Sequence, residues 1–161
     1  MSTVFIQLGS NKGDRKKNIE KALSYLEEMI GVIIKKSNIY ETTPWRAENQ
    51  DNYLNQVILL KTMLNPHMVL IKAMEIEYLM GRVRLKKWSS REIDIDILFY
   101  NHEIISKHNL SIPHKFLHER RFVLEPLNDI APNFIHPSYN KSISELLEIC
   151  SDQGKVKKYE V

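Results

Sequence analysis

At 161 residues, 43% hydrophobic and 27% charged, the chain has material for one compact domain over residues 1–161 and is short for two. Its formal charge of +3 is too small and too dispersed to mark a nucleic-acid partner. A lone cysteine, Cys150, excludes an internal disulfide scaffold, and apolar runs such as 57–60 fall far below the roughly 18 residues that cross a bilayer. The opening Met-Ser-Thr-Val-Phe-Ile lacks the basic-then-apolar order of a secretory signal, so the expectation is a cytoplasmic chain without a membrane role.

Residues 4–8 are apolar apart from Gln7 and predict a largely buried first strand, broken by Gly9-Ser10-Asn11. Asp14 is placed to cap a helix whose apolar positions Ile19, Ala22, Leu23, Leu26 and Met29 recur every three or four residues, with Gly31 as its stop. Residues 32–40 form a second strand candidate. The polar stretch 41–52 is long enough to be a binding loop or lid, and 53–60 returns to strand composition. Asn65-Pro66 opens a second helix with Val69, Leu70, Ala73, Ile76 and Met80 on one face, ended by Gly81.

After the basic segment 82–91 comes a strand over 93–100. Strand, helix, strand, strand, helix, strand is the order of a ferredoxin-like α+β core, an antiparallel sheet covered by helices. Additional C-terminal elements follow: a short helix over 120–127 bounded by Pro126, and another that Ser142 and Glu145 start as a capping box. Residues 155–158 read as a frayed, solvated tail.

Asp94-Ile95-Asp96 carries the most information. A strand sends residues i and i+2 to one face, so two carboxylates lie side by side and repel unless a cation or protons intervene. Hard oxygen donors suit magnesium or manganese, with substrate phosphates completing the shell. Two other readings stay open, a pair of solvent-facing acids and an ion pair without metal. The adjacent Arg82, Arg84, Lys86, Lys87 and Arg91, with Trp88 among them, can grip a polyphosphate from the opposite side. They can equally form a solvated loop or an RNA-binding patch.

No Walker loop is present. Tyr53 and Asn55 share a strand face, pairing a flat ring with an amide able to match a heterocycle, or else belong to the core. His114 and His118 lack a third ligand with persuasive spacing for zinc. His114 is a candidate phosphate donor or a surface residue, and Glu77 sits near the apolar stripe of its helix.

As a set these residues resemble the 6-hydroxymethyl-7,8-dihydropterin pyrophosphokinase family over roughly residues 3–150. The distinctive segment is Lys87-Trp-Ser-Ser-Arg-Glu-Ile-Asp-Ile-Asp-Ile-Leu98, supported by Leu8-Gly-Ser-Asn11, Tyr53-Leu-Asn55, Gly81-Arg-Val-Arg84, Ile112-Pro-His114 and the stretch 120–127. The resemblance implies a ferredoxin-like core with mobile loops, and attack by the pterin hydroxymethyl oxygen on the β-phosphorus of ATP with AMP leaving. It implies two Mg2+ ions on Asp94 and Asp96, and Arg82 and Arg91 as the other catalytic residues. Glu77, Arg84, Trp88, Ile97, Ser111, His114 and Arg120 would serve ATP. Thr42, Thr43, Trp45, Tyr53, Asn55, Asp94 and Phe122 would serve the pterin. ATP and a reduced pterin are then the partners of a monomer, with no nucleic acid. Met74, Ser89, Asn109, Lys115 and Trp45 depart from the residues common in that family.

Overall fold

The computed structural model describes residues 1–46, 49–81 and 92–160. Strand β1 (Ser2–Ser10) leads through helix α1 (Arg15–Met29) to β2 (Gly31–Lys36), β3 (Tyr40–Thr42) and β4 (Tyr53–Thr62). Helix α2 (Pro66–Leu79) precedes β5 (Asp94–Tyr100) and the hairpin β6 (Ile105–Lys107) and β7 (Leu110–Ile112). The chain then forms α3 (Arg121–Ile130), α4 (Ile143–Ile149) and β8 (Val156–Lys158).

The sheet runs β5-β1-β4-β3-β8, with β2 also on β4, and every pairing among these strands is antiparallel. With β2 and β3 taken as one interrupted strand, this is the expected ferredoxin-like order.

Local chemistry explains most boundaries. Asp14 accepts the Lys17 N–H at 3.2 Å and Asn65 accepts the Met68 N–H at 2.9 Å, each such cap contributing about 1 kcal/mol. Gly81 ends α2 in the left-handed region, at φ 86°, and its N–H donates to the Tyr78 carbonyl. Gly31 serves another purpose than the expected stop. It pairs with Thr62 at the start of β2, where a Cβ would lie 1.9 Å from the Lys61 carbonyl oxygen. The second strand divides because the Ser37 hydroxyl oxygen accepts the Val57 N–H while Asn38 and Tyr40 donate to the Asp129 carboxylate on α3.

The sheet separates two cores. Val4, Ile6, Leu8, Leu54, Ile58, Leu60, Ile95 and Ile97 pack on α1 and α2. Phe5, Val57, Leu98 and Phe99 pack on α3 and α4, so the helices of the C-terminal part cover the face that a bare ferredoxin-like core leaves open. The β1/β5 register shifts between Phe5 and Ile6, which pair with Phe99 and Ile97. That bulge lets both Leu98 and Phe99 join the second core.

Two C-terminal expectations need correction. Helix α3 continues through Pro126 to Ile130, because an internal proline removes one N–H and here the deprived carbonyl, that of Phe122, faces the Gln7 side chain at 3.5 Å. Residues 155–158 are no frayed tail. β8 pairs with β3 at the sheet edge, and Thr43 and Lys155 exchange two hydrogen bonds of 3.1 Å. Arg121 holds the approach to β8, donating to the carbonyls of Asp152 and Cys150, while its own N–H is accepted by the Asp152 carboxylate.

Substituting Arg121→Ala should therefore release residues 150–158, at a cost of about 1–2 kcal/mol of local stability. Hydrogen exchange should accelerate at Lys155 to Tyr159 while β1 and β4 stay protected; unchanged protection there would show that the edge pairing suffices alone.

Candidate active site

On β1, Gly9 lies directly opposite Asn55 of β4 and Asp94 of β5, and Gln7 lies opposite Val57 and Asp96. Cross-strand partners present their side chains to the same face. Asp94, Asp96 and Asn55 thus share the α3/α4 face, as the period-two reading expects, and both acids are half-buried between the buried Ile93, Ile95 and Ile97.

Arg120, immediately before α3 and 6% exposed, brings a cation to this face. Burial lowers its pKa, Asp96 and then Asp94 oppose that drop, and Arg46 adds to it. Its guanidinium lies 4.4 Å from the centroid of the Trp45 ring and 5.4 Å from that of Phe122. Arg46 covers Trp45 at 4.1 Å, so one indole carries two guanidinium groups, an attraction of roughly 0.5–2 kcal/mol each.

The Asn55 amide is buried and held on both ends. Its Nδ2 donates to Thr42 Oγ1 at 2.6 Å, and its Oδ1 accepts from Gln7 Nε2 at 3.2 Å. Gly9 is required by this arrangement, since a Cβ there would stand 2.8 Å from Asn55 Oδ1 and 3.4 Å from the Tyr53 ring. Thr43, Pro44, Trp45, Arg46 and Phe122 line a cavity of about 250 Å³ together with the C-terminal segment 152–156. Of the expected pterin-side residues, Thr43, Trp45 and Phe122 line this cavity, while Thr42, Tyr53, Asn55 and Asp94 lie on the neighbouring strands β3, β4 and β5.

The expected ATP-side residues divide. Among the described residues β5 pairs within the sheet only with β1, and on it the Ile95 N–H donates to the buried Glu77 carboxylate at 2.9 Å. His114 donates its N–H to the Leu98 carbonyl, which places it beside the same strand. Its Nδ1 accepts the Phe116 N–H at 3.2 Å. Burial, reinforced by Arg120 and Lys115, pushes its pKa down to about 4, so the ring is neutral at pH 7 with Nε2 as the donor. Ile97 is packed in the α1/α2 core, opposite Ile6, so its side chain points to the other face from the acids. Ser111 is exposed on β7. Arg82, Arg84, Trp88 and Arg91 lie outside the described residues.

Three participants escaped the sequence reading. Gln7 was visible only as the polar interruption of an apolar strand; Arg46 carried no signal beyond its charge; and residues 152–154 line the same cavity as Thr43, which is far from them in the chain. Among the described residues no three His, Cys, Asp or Glu side chains gather to hold a metal, and no helix is long and apolar enough to cross a membrane.

Residues 5–132 match the family described as 7,8-dihydro-6-hydroxymethylpterin-pyrophosphokinase. The chain is similar to the 2-amino-4-hydroxy-6-hydroxymethyldihydropteridine pyrophosphokinase of Aquifex aeolicus, 48% identical over 145 residues that cover 90% of each chain. It is also similar to the Haemophilus influenzae enzyme of the same name, 35% identical over 98% of each. Its fold resembles that of an HPPK-DHPS in complex with substrates and of a Plasmodium falciparum HPPK-DHPS triple mutant. Both have a TM-score of 0.77, at 18% and 23% identity, over 91% of this chain. Those structures extend well beyond it, for the chain spans 43% and 41% of their lengths. The chain belongs to the 7,8-dihydro-6-hydroxymethylpterin-pyrophosphokinase family and is a pyrophosphoryl-transferring enzyme of folate biosynthesis.

Proposed function

We propose that this chain, as a monomeric, cytoplasmic, single-domain enzyme, transfers the pyrophosphoryl group of ATP to the hydroxymethyl oxygen of 6-hydroxymethyl-7,8-dihydropterin and releases AMP. The observation that carries this reading is the convergence of Asp94, Asp96, Arg120 and the anchored Asn55 amide on one face of the sheet. An acidic pair, a buried guanidinium and a heterocycle-reading amide are the parts needed to hold a triphosphate beside a pterin.

The donor set fits magnesium. Two half-exposed carboxylates offer hard oxygen ligands on one face, and with no third acidic or imidazole ligand gathered among the described residues, phosphate oxygens and water would fill the remaining positions. Asp94 and Asp96 would hold two such ions, which when bound neutralise the phosphate oxygens and polarise the β-phosphorus. Arg120 compensates phosphate charge from the α3 side, and neutral His114 offers its Nε2–H as a donor at the edge of β5. Arg82 and Arg91 are proposed to steady the phosphates, with Arg84 and Trp88 beside them.

The pterin would lie against Tyr53 and Phe122, its polar edge toward Asn55, with Thr42, Thr43 and Trp45 closing the pocket. Its hydroxymethyl oxygen forms a bond to the β-phosphorus and releases its proton to solvent as the bond from that phosphorus to the α,β-bridging oxygen breaks and AMP leaves. Catalysis by such a site is mostly alignment and charge compensation.

The products provide the test. With ATP, magnesium and the pterin, the purified chain should form AMP and the pterin diphosphate ester in equal amounts, by nucleotide chromatography and mass analysis. Asp94→Ala and Asp96→Ala should each reduce kcat by about 10²–10³-fold with little change in melting temperature. ADP with a singly phosphorylated pterin, or pyrophosphate with an adenylylated one, would refute the assignment.

The state of His114 gives a second check. In the ligand-free protein its ring resonance should titrate near pH 4, well below the ordinary 6.5. Because the folded-state value is depressed, the stability tied to this ring is present above pH 6.5 and lost as pH falls toward 4. A midpoint above 6 would mean that the ring is solvated and positioned otherwise.

A further inference from the structure

We propose that Gln7 is a positioning residue that fixes the donor and acceptor ends of the Asn55 amide, through a chain of hydrogen bonds whose polarity originates at Pro126. The proposal rests on the reading of Asn55 as the group facing the pterin's polar edge.

An asparagine amide can be turned end for end with little change in shape, exchanging a donor for an acceptor. Something outside it must select the orientation. Pro126 has no N–H to give the carbonyl of Phe122, four residues earlier in α3. A carbonyl oxygen can only accept. Gln7, 3% exposed, therefore presents Nε2 to the Phe122 oxygen at 3.5 Å, and the same nitrogen donates to Asn55 Oδ1 at 3.2 Å.

Asn55 must then turn Nδ2 the other way, where Thr42 Oγ1 accepts at 2.6 Å. Reversing Gln7 would aim its own oxygen at the Phe122 carbonyl oxygen, which can only accept. The cost of the observed orientation is visible, since Gln7 Oε1 is buried without a hydrogen-bond partner among the described residues. Asn55 is left with one N–H and one lone pair of defined direction for a ligand, and the donor-acceptor pattern selected in the acceptor is set by a residue that need not touch it.

The test measures calorimetric affinity of the full-length chain for 6-hydroxymethyl-7,8-dihydropterin with magnesium and a non-hydrolysable ATP analogue, and separately for the analogue alone. Gln7→Met fills the same space without polarity and should weaken pterin binding about tenfold, leaving analogue binding within about twofold. Gln7→Ala replaces Gln7→Met should the latter fail to fold, with the same expected split. Normal pterin affinity in Gln7→Met or Gln7→Ala, beside weak affinity in Asn55→Ala, overturns the role of Gln7 and leaves the acceptor site standing. Normal affinity in Asn55→Ala overturns both.

Discussion

The site depends on the pairing of β1 with strands on both of its sides. Because Gly9 lies opposite both Asn55 and Asp94, one antiparallel register decides that the amide of β4 and the carboxylates of β5 face the same way. A slip of one residue in either ladder would send one partner into the α1/α2 core. That core argues strongly against any slip, for it would then receive carboxylates in place of Ile95 and Ile97, or the Asn55 amide in place of Leu54. Burial of one face thus specifies the chemistry of the other.

The C-terminal part completes what the register begins. Helix α3 covers the site face with Val123, Leu124 and Leu127 while its N-cap and first turn deliver Arg120 and Phe122. The same turn is tied back to the C-terminal segment through Arg121 and Asp152, and that segment is tied to Thr43. The walls of the cavity, drawn from three stretches far apart in the chain, are therefore fastened to one another by these two ties, which limits how far it can open without breaking β3/β8 pairing. Asp129 adds a further tie by accepting from Asn38 and Tyr40. Burial first, and that carboxylate second, push the Tyr40 pKa up to about 12.

Local signals made much of this legible in the sequence. Apolar periodicity and the capping residues Asp14, Asn65 and Ser142 located α1, α2 and α4, and the alternation in 94–96 placed two acids on one face. What could not be read depends on distant partners. The break between β2 and β3 comes from Ser37 bonding to Val57, and the ordering of residues 155–158 comes from a sheet edge that composition does not reveal. Pro126 looked like a helix stop because its lost hydrogen bond is local, whereas the tertiary partner of the freed carbonyl is Gln7, 115 positions away. The motif resemblance named the Ile97 position, yet its side chain follows the strand's alternation into the core.

The central claim is that metal-bound triphosphate and pterin meet on the α3/α4 face of the sheet. A crystal structure with Mn2+ in place of magnesium, a non-hydrolysable ATP analogue and 6-hydroxymethyl-7,8-dihydropterin tests it most directly. Anomalous scattering should place manganese on the carboxylate oxygens of both Asp94 and Asp96, with the pterin between Tyr53 and Phe122 and its polar edge on Asn55. Manganese away from either carboxylate, or a pterin bound elsewhere than beside Asn55, would contradict the account.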